Sequence, residues 1–193
     1  LNRFGCSKDD VIVLYVANLY REKGIYDLLF AFKQLLNRSV SRKKIKLLIA
    51  GKGKERDNIL HWIQYLRMDD CVKLIGSHSY DVMPKIHNLA DIFVLPSLPI
   101  STWQEQFGYV LIESMACGKP VISTMSGSIP EVIGKAGILI QANDFTSITN
   151  QLENLYNDEN FRIKLGREGR DRVEKLFDVQ QISRQFRQHY EYI

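Results

Sequence analysis

Cysteine is scarce in this sequence, and the positions of the few cysteines exclude the structures that cysteine usually builds. Cys6, Cys71 and Cys117 are odd in number and far apart, with no Cys-x-x-Cys pair. A disulfide framework or a structural zinc site needs cysteines that are paired or clustered. We therefore expect reduced thiols, no metal site and a cytoplasmic location.

Long apolar runs are also missing. The longest, Val11–Ala17, is far shorter than the ~20 residues that a helix needs to cross a bilayer, and no signal peptide is visible. The chain begins at Leu1 rather than at a methionine, which suggests a segment of a longer protein. Contact with the inner face of a membrane would then come through the full-length protein.

A strong excess of one charge is absent as well. Lysine and arginine number 26 against 22 acidic residues, which leaves a net charge of +4. The densest basic stretch, Arg162–Lys175, is interleaved with Glu168, Asp171 and Glu174. That mixture is typical of a solvated helical face rather than of a nucleic-acid-binding stripe. We expect no nucleic-acid partner.

Short apolar runs that alternate with helical patterns make up most of the chain. With 193 residues and 45% hydrophobic composition, the chain can bury a substantial core. Nearly continuous apolar strands separated by helices predict a parallel sheet covered on both faces, an α/β fold of the Rossmann-like type. The predicted strands are Val11–Ala17, Ile45–Ala50, Val72–Ile75, Asp91–Leu95, Pro120–Ser123 and Gly137–Ile140.

The pattern becomes wholly helical after residue 158 and runs to Ile193. We predict a ligand-binding domain over residues 1–158 and a helical extension of that domain over residues 159–193. Ligands of such sheets bind beyond the carboxyl ends of the strands. The loops that follow the strands are therefore where candidate functional residues are sought.

Two glutamates with seven residues between them, Glu105 and Glu113, lie on either side of the start of a predicted helix. The predicted helix ends at Gly118, and the apolar positions that face the sheet are Phe107, Val110, Leu111 and Met115. Glu113 lies about 60° round the helix from Val110, on the flank of the buried stripe. A carboxylate there is costly unless it is paired or accepts a ligand hydroxyl. Glu105 could reach a sugar hydroxyl or a reacting carbon, and the alternative is a plain helix with solvated acids.

Three other segments could contact a phosphate. Gly108 allows close backbone approach, and the free N–H groups of the first helical turn suit an anion. Lys23, beside Gly24, could hold a diphosphate as a point charge, although Lys-Gly is also common in loops. Gly51 and Gly53 form a G-x-G after a strand, a weak signal that equally describes a tight turn.

Further candidates remain open between a binding role and a structural one. Gly76, Ser77 and His78 end the third strand, where backbone groups could pair with a base edge. His78 by itself is typical of a surface histidine. The turn over residues 126–131 could serve a phosphate or be a simple loop, and Trp103 could stack on a sugar or pack on its own loop.

Together these segments resemble the C-terminal domain of retaining GT-B glycosyltransferases of the "group 1" family. The resemblance runs from about Val11 to Glu131, and although each motif is common, their ordered set is specific. The matching segments are Val16–Gly24, Leu47–Gly53, Val72–Gly76, Ala90–Ser97, Glu105–Ile122 and Gly127–Glu131.

The resemblance implies a role for each candidate residue. Lys23 would hold the donor diphosphate and Glu105 would lie against the transferred sugar, as the catalytic pair. Glu113 would take the ribose hydroxyls. The remaining donor-binding positions would be Asn18, Gly51, Gly53, Gly76, Ser77, His78, Phe107, Gly108, Tyr109 and Val110, with the N–H groups of the last four helping at the diphosphate.

Two positions depart from the family pattern. Many members have an arginine where this chain has Asn18, which can donate a hydrogen bond but brings no charge. The diphosphate would then depend more on Lys23, or Arg21 would help. Gly127-Ser128 replaces the usual Gly-Gly, which is a milder change.

The implied reaction moves a hexosyl group from a nucleotide diphosphate sugar, UDP- or GDP-linked, to an acceptor, with retention and without a metal or other cofactor. Enzymes of this fold have a second, N-terminal domain for the acceptor, which is missing here, so the chain alone would be inactive. The final helices would lean on that domain.

Three other functions are alternatives to a glycosyltransferase. A nicotinamide-dependent dehydrogenase predicts a G-x-G-x-x-G after the first strand, and residues 18–24 lack it. A sugar-nucleotide epimerase of the same fold is a closer alternative, against which the spacing of the glutamates counts. A non-catalytic Rossmann-like binding domain is disfavoured because Lys23, Glu105 and Glu113 are all retained.

Overall fold

A six-stranded parallel sheet forms the centre of the molecule in a computed structural model that describes residues 2–38 and 45–190. The strand order is β3-β2-β1-β4-β5-β6. The predicted strands are confirmed to within one residue at each end. The strands are β1 (Val11–Val16), β2 (Ile45–Ala50), β3 (Val72–Gly76), β4 (Ile92–Leu95), β5 (Val121–Thr124) and β6 (Ile138–Ile140).

Helices cover both faces of this sheet. Because parallel crossovers are right-handed, the reversal of strand order at β1 places α1 and α4 on opposite faces. On one face α1 packs against α6, and on the other α4 packs against α7. The helices are α1 (Ile25–Arg38), α2 (Arg56–Tyr65), α3 (Met83–Asn88), α4 (Tyr109–Ala116), α5 (Ile129–Ile133), α6 (Phe145–Asn157), α7 (Glu159–Leu176) and α8 (Val179–Tyr190).

The start of α4 corrects the sequence prediction. Gly108 adopts the left-handed conformation with φ of 75°, so the helix begins at Tyr109 rather than at Phe107. Phe107 consequently does not face the sheet. Its ring packs against those of Tyr109 and Phe177, at centroid distances of 4.8 and 5.8 Å. Leu111 and Met115 are buried as predicted.

The C-terminal helices join the sheet through α7. A Cβ on Gly166 would lie 2.1 Å from the carbonyl oxygen of Gly118, so α7 passes very close to the end of α4. Arg172 donates to the carbonyl oxygens of Val132 and Glu131. Val179, Phe186 and Tyr190 of α8 are exposed. The division at residue 158 stays a prediction, and the predicted helical residues 191–193 lie outside the described residues.

The loops after β1 and β4 are fastened together where the strand order reverses. The amide of Leu98 donates to the carbonyl of Glu22 at 2.7 Å. Gly24 has φ of 70°, and a Cβ there would lie 1.8 Å from the carbonyl oxygen of Pro96. A glycine at this position therefore satisfies both the backbone conformation and the close approach.

Replacing Gly24 should separate the cost of the left-handed conformation from the cost of the close contact with Pro96. Gly118 has a similar φ of 68° but open space around its Cβ position, which makes Gly118→Ala the matched control. We expect Gly118→Ala to cost about 1 kcal/mol of unfolding free energy, the strain of a left-handed residue. Gly24→Ala should cost at least twice as much in urea denaturation, and equal costs would show that the Pro96 contact is unimportant.

A hydrogen-bonded cluster around Glu55 fastens the loops after β1 and β2. The Glu55 carboxylate is 5% exposed and accepts hydrogen bonds from the Tyr26 hydroxyl and from Asn58. Arg21 Nε lies 3.4 Å from its other oxygen. The hydrogen bond from Tyr26 lowers the pKa of Glu55, whereas burial and that same hydrogen bond raise the pKa of Tyr26 to about 12.

The two pKa shifts predict how Tyr26→Phe changes stability with pH. A lowered Glu55 pKa stabilises the fold above about pH 4.3, and a raised Tyr26 pKa stabilises it below about pH 10. Between these limits Tyr26→Phe should cost about 1.5 kcal/mol. The cost should shrink as the pH falls below 4.3, measured by urea unfolding. Tyr156→Phe, at a half-buried tyrosine outside this cluster, is the control, and a cost independent of pH would contradict the coupling.

Candidate functional site

A cleft of about 510 Å³ opens over the carboxyl ends of the strands, where the loops after β1, β2, β3 and β4 meet the start of α4. This is the crevice that the reversal of strand order creates in open α/β sheets. The cleft is lined by Val16, Ala17, Asn18, Lys23, Ala50, Gly51, Lys52, Ser77, His78, Met83, Leu95, Glu105, Gly108, Tyr109, Val110 and Glu113.

The structure brings most of the predicted site residues to this cleft. Of the residues predicted to be catalytic or donor-binding, all line the cleft except Gly53, Gly76 and Phe107. The two residues predicted as the catalytic pair, Lys23 and Glu105, lie on loops from different strands and meet within it. The binding and catalytic roles of these residues remain predictions.

Lys23 and Glu105 form an ion pair at the centre of the cleft. Lys23 Nζ lies 2.7 Å from Glu105 Oε2, and the Ser97 hydroxyl donates to that same oxygen at 3.1 Å. The ammonium also lies 4.3 Å from the centroid of the Trp103 ring, within the range of a cation–π interaction. Glu105 is 8% exposed. The Trp103 ring thus packs against Lys23, and its stacking on a sugar stays a hypothesis.

The backbone on both sides of this ion pair is held in place. The buried Tyr15 hydroxyl donates to the carbonyl of Lys23 at 3.3 Å. Burial, and then the charges of Glu105 and Glu22, raise the pKa of Tyr15 well above its usual value, so the phenol keeps its proton. On the other side, the amide of Ser128 donates to the carbonyl of Glu105 at 3.0 Å.

The turn that follows β5 packs against the backbone of Glu105 at Gly127. The φ of Gly127 is 54°, and a Cβ at this position would lie 1.8 Å from the carbonyl oxygen of Glu105. The turn therefore packs directly on the backbone of Glu105 instead of lining the cleft. Of the two possibilities open from the sequence, the geometry favours a supporting loop.

The start of α4 forms part of the cleft wall. Gly108, Tyr109 and Val110 line the cleft beside Glu105. The first N–H groups of a helix lack partners within the helix, and its dipole favours an anion there. A Cβ on Gly108 would contact a methyl of Leu111 at 2.8 Å. Glycine thus lets the chain turn tightly between Glu105 and the helix.

The loops after β2 and β3 form the opposite wall. Gly51 lines the cleft with φ of 143°, and its amide donates to the carbonyl of Gly76. Ser77 and the half-buried His78 line the cleft as well. Gly53 has a packing role, because a Cβ there would lie 2.4 Å from the carbonyl oxygen of Leu19.

Glu113 reaches the cleft from inside α4. Its side chain is 30% exposed, and Oε2 lies 3.4 Å from Nε2 of His87, a fully buried residue on α3. Sequence reasoning missed His87, since a histidine in a short helix carries no pattern of its own.

The charges on the cleft wall nearly balance. Lys23 and Lys52 are its lysines, and Glu105 and Glu113 are its carboxylates. Arg21, considered from the sequence as a second phosphate ligand, is directed to Glu55 instead. Lys52 lies between the two glycines of the G-x-G and has no carboxylate partner among the described residues.

Residues 2–38 and 45–190 contain neither a candidate metal site nor a candidate membrane span. No group of three or more His, Cys, Asp or Glu side chains is arranged to hold a metal ion in these ranges. None of the helices within them combines the length and the apolar character that a membrane span requires.

The chain matches a known protein family. The family described as "Glycosyl transferases group 1" matches residues 2–172. The N-acetyl-alpha-D-glucosaminyl L-malate synthase of Bacillus anthracis is 32% identical over 189 residues. That alignment covers 97% of this chain and 47% of the relative, so the chain spans about half of the relative's length.

Solved structures share the fold. The C-terminal domain of LpcC, a glycosyl transferase group 1 family protein from Francisella tularensis, superposes with a TM-score of 0.74 at 20% identity and 92% coverage of both chains. HepE from Anabaena, solved in complex with UDP and glucose, gives a TM-score of 0.81 at 22% identity over 96% of this chain and 49% of HepE. The chain therefore belongs to the group 1 glycosyltransferase family and has the fold of the C-terminal domain of such a protein.

Proposed function

We propose that the cleft binds a nucleotide diphosphate sugar, UDP- or GDP-linked, as the donor half of a retaining glycosyltransferase that needs no metal ion. The observation that carries this proposal is the Lys23–Glu105 ion pair, 2.7 Å long, placed beside the N-terminal turn of α4. The Lys23 ammonium and the amides at the N-terminal end of the helix lie where a diphosphate would bind. A carboxylate stands next to them, where the sugar would lie.

The diphosphate would interact with Lys23 and with the backbone amides at the start of α4. When the bond from the anomeric carbon to the diphosphate oxygen breaks, negative charge develops on the leaving phosphate. A fixed ammonium and free N–H groups stabilise that charge without reorganising. Asn18 adds a neutral hydrogen-bonding group on the same wall, and Lys52 supplies a second positive charge.

Glu105 would act on the sugar. The Ser97 hydroxyl holds the Glu105 carboxylate within the cleft, and the hydrogen bond from Ser128 holds its backbone carbonyl. A carboxylate there would stabilise positive charge at the anomeric carbon or bind a sugar hydroxyl. Glu113, farther along α4, would bind the ribose, and His78 with Ser77 would border the base.

The acceptor would bind to a second domain outside this chain. The chain spans about half of the relative it matches, 47% of the Bacillus anthracis protein. The exposed apolar side chains Val179, Phe186 and Tyr190 of α8 fit a helix that packs against such a domain. The chain alone would then bind the donor without transferring the sugar, and contact with a membrane surface would come through the complete enzyme.

Calorimetric titration of UDP, GDP and ADP onto the chain tests the donor site. We expect one of these nucleotides to bind, and we expect Lys23→Gln to weaken that binding by about 10- to 100-fold, the value of one charge-assisted contact. The control is Lys54→Gln, which removes an exposed lysine that lies over Tyr20 and outside the cleft lining.

Two outcomes would contradict the donor site. If none of the three nucleotides binds at millimolar concentration, the proposed function is wrong. If Lys23→Gln and Lys54→Gln weaken binding equally, the effect is one of general charge, and Lys23 has been assigned the wrong role.

Glu105→Gln in the complete enzyme tests the catalytic role of the carboxylate. The change preserves the shape of the side chain and its contact with Ser97 but removes the charge. We expect kcat to fall by about 100-fold or more, as when one electrostatic stabiliser of a transition state is removed. Affinity for the nucleotide diphosphate should not fall and should rise somewhat, because the change removes the carboxylate that competes for the Lys23 ammonium. Turnover close to that of the unmodified enzyme would show that Glu105 has no part in the reaction.

A further inference from the structure

His87 is buried with both ring nitrogens unsatisfied. It is 0% exposed, and within the described part of the chain neither Nδ1 nor Nε2 makes a hydrogen bond. Buried polar atoms are nearly always hydrogen-bonded, and one that is not calls for an explanation. Packing alone does not supply it, because an apolar side chain would fill the space beside the Phe93 ring, 5.5 Å away, at lower cost.

The polar group nearest to this histidine belongs to the cleft. Nε2 lies 3.4 Å from Oε2 of Glu113, slightly beyond the usual N–H···O range of 2.7–3.2 Å. Glu113 lines the cleft and is 30% exposed, whereas His87 does not line it. The imidazole therefore approaches the carboxylate from the buried side, and the cleft lies on the other.

We propose that His87 is a positioning residue for Glu113. A rotation of the imidazole together with a small shift aligns Nε2–H with Oε2. The hydrogen bond then fixes the carboxylate and leaves Oε1 to accept a ribose hydroxyl from the cleft. A neutral imidazole has one N–H, so this assignment puts the proton on Nε2 and leaves Nδ1 bare. The inference rests on the proposed function, because it gives Glu113 the ribose.

In this role His87 affects the binding of the ribose hydroxyls and of no other part of the donor. A histidine with a purely structural role would affect every nucleotide equally when it is replaced. A positioning role predicts an effect that disappears when the ligand lacks the hydroxyls. Nucleotides with and without those hydroxyls therefore separate the two roles.

The test compares UDP with 2′,3′-dideoxy-UDP, and GDP with its dideoxy form, by calorimetry. We expect the unmodified chain to prefer the ribose form by about tenfold, the value of one charge-assisted hydrogen bond. His87→Phe should reduce that preference to about twofold with little change for the dideoxy ligand. His87→Gln, which keeps an N–H donor, should restore most of it, and His61→Gln, an exposed histidine of α2, should leave it unchanged.

Several outcomes would overturn the inference. A full ribose preference in His87→Phe, or an equal loss of affinity for both ligands, would give His87 a structural role only. If the unmodified chain binds UDP or GDP without preferring ribose, Glu113 does not hold the ribose. If it binds neither, the proposed function fails as a whole.

A measurement on the unmodified chain makes the test independent of whether the variants fold. The ¹⁵N chemical shifts of the His87 ring should report a protonated Nε2 and a bare Nδ1 at neutral pH. The opposite tautomer would overturn the proposal, because Nε2 would then have no proton to donate to Glu113.

Discussion

The ion pair between Lys23 and Glu105 is the interaction around which the site is organised. It joins the loop after β1 to the loop after β4, the two loops that diverge where the strand order reverses. The close approach of Gly24 to Pro96 and of Gly127 to Glu105 brings the backbones near enough for the pair to form. Trp103 and Ser97 then hold the ammonium and the carboxylate in one geometry.

This pairing also sets the electrostatics of the free site. Two lysines and two glutamates line the cleft, so it is close to neutral before a ligand arrives. Under the proposed function, an incoming diphosphate would have to share the Lys23 ammonium with Glu105. Its attraction to the site would then be smaller than the number of lysines suggests, and part of the binding energy would have to come from the amides of α4 and from contacts to the nucleoside.

Much of this arrangement follows from local sequence patterns. Apolar runs predicted the strands, and the rule that ligands bind beyond parallel strands led to Lys23, Glu105 and Glu113. The errors in the sequence predictions come from tertiary contacts and backbone conformations that local patterns do not show. The left-handed Gly108 moved the helix start, and Phe107 packs on Phe177, some seventy positions away in the sequence. His87 carries meaning only through its distance to Glu113, which no sequence spacing encodes.

The glycines that bring the loops together limit how the cleft can change in evolution. At Gly24, Gly51 and Gly127 one backbone lies against another, with no room for a side chain between them. Insertions or bulkier residues at these contacts would move whole walls of the cleft. Substitutions of single lining side chains, such as Asn18 or Lys52, can by contrast change the surface of the cleft without moving its main chain.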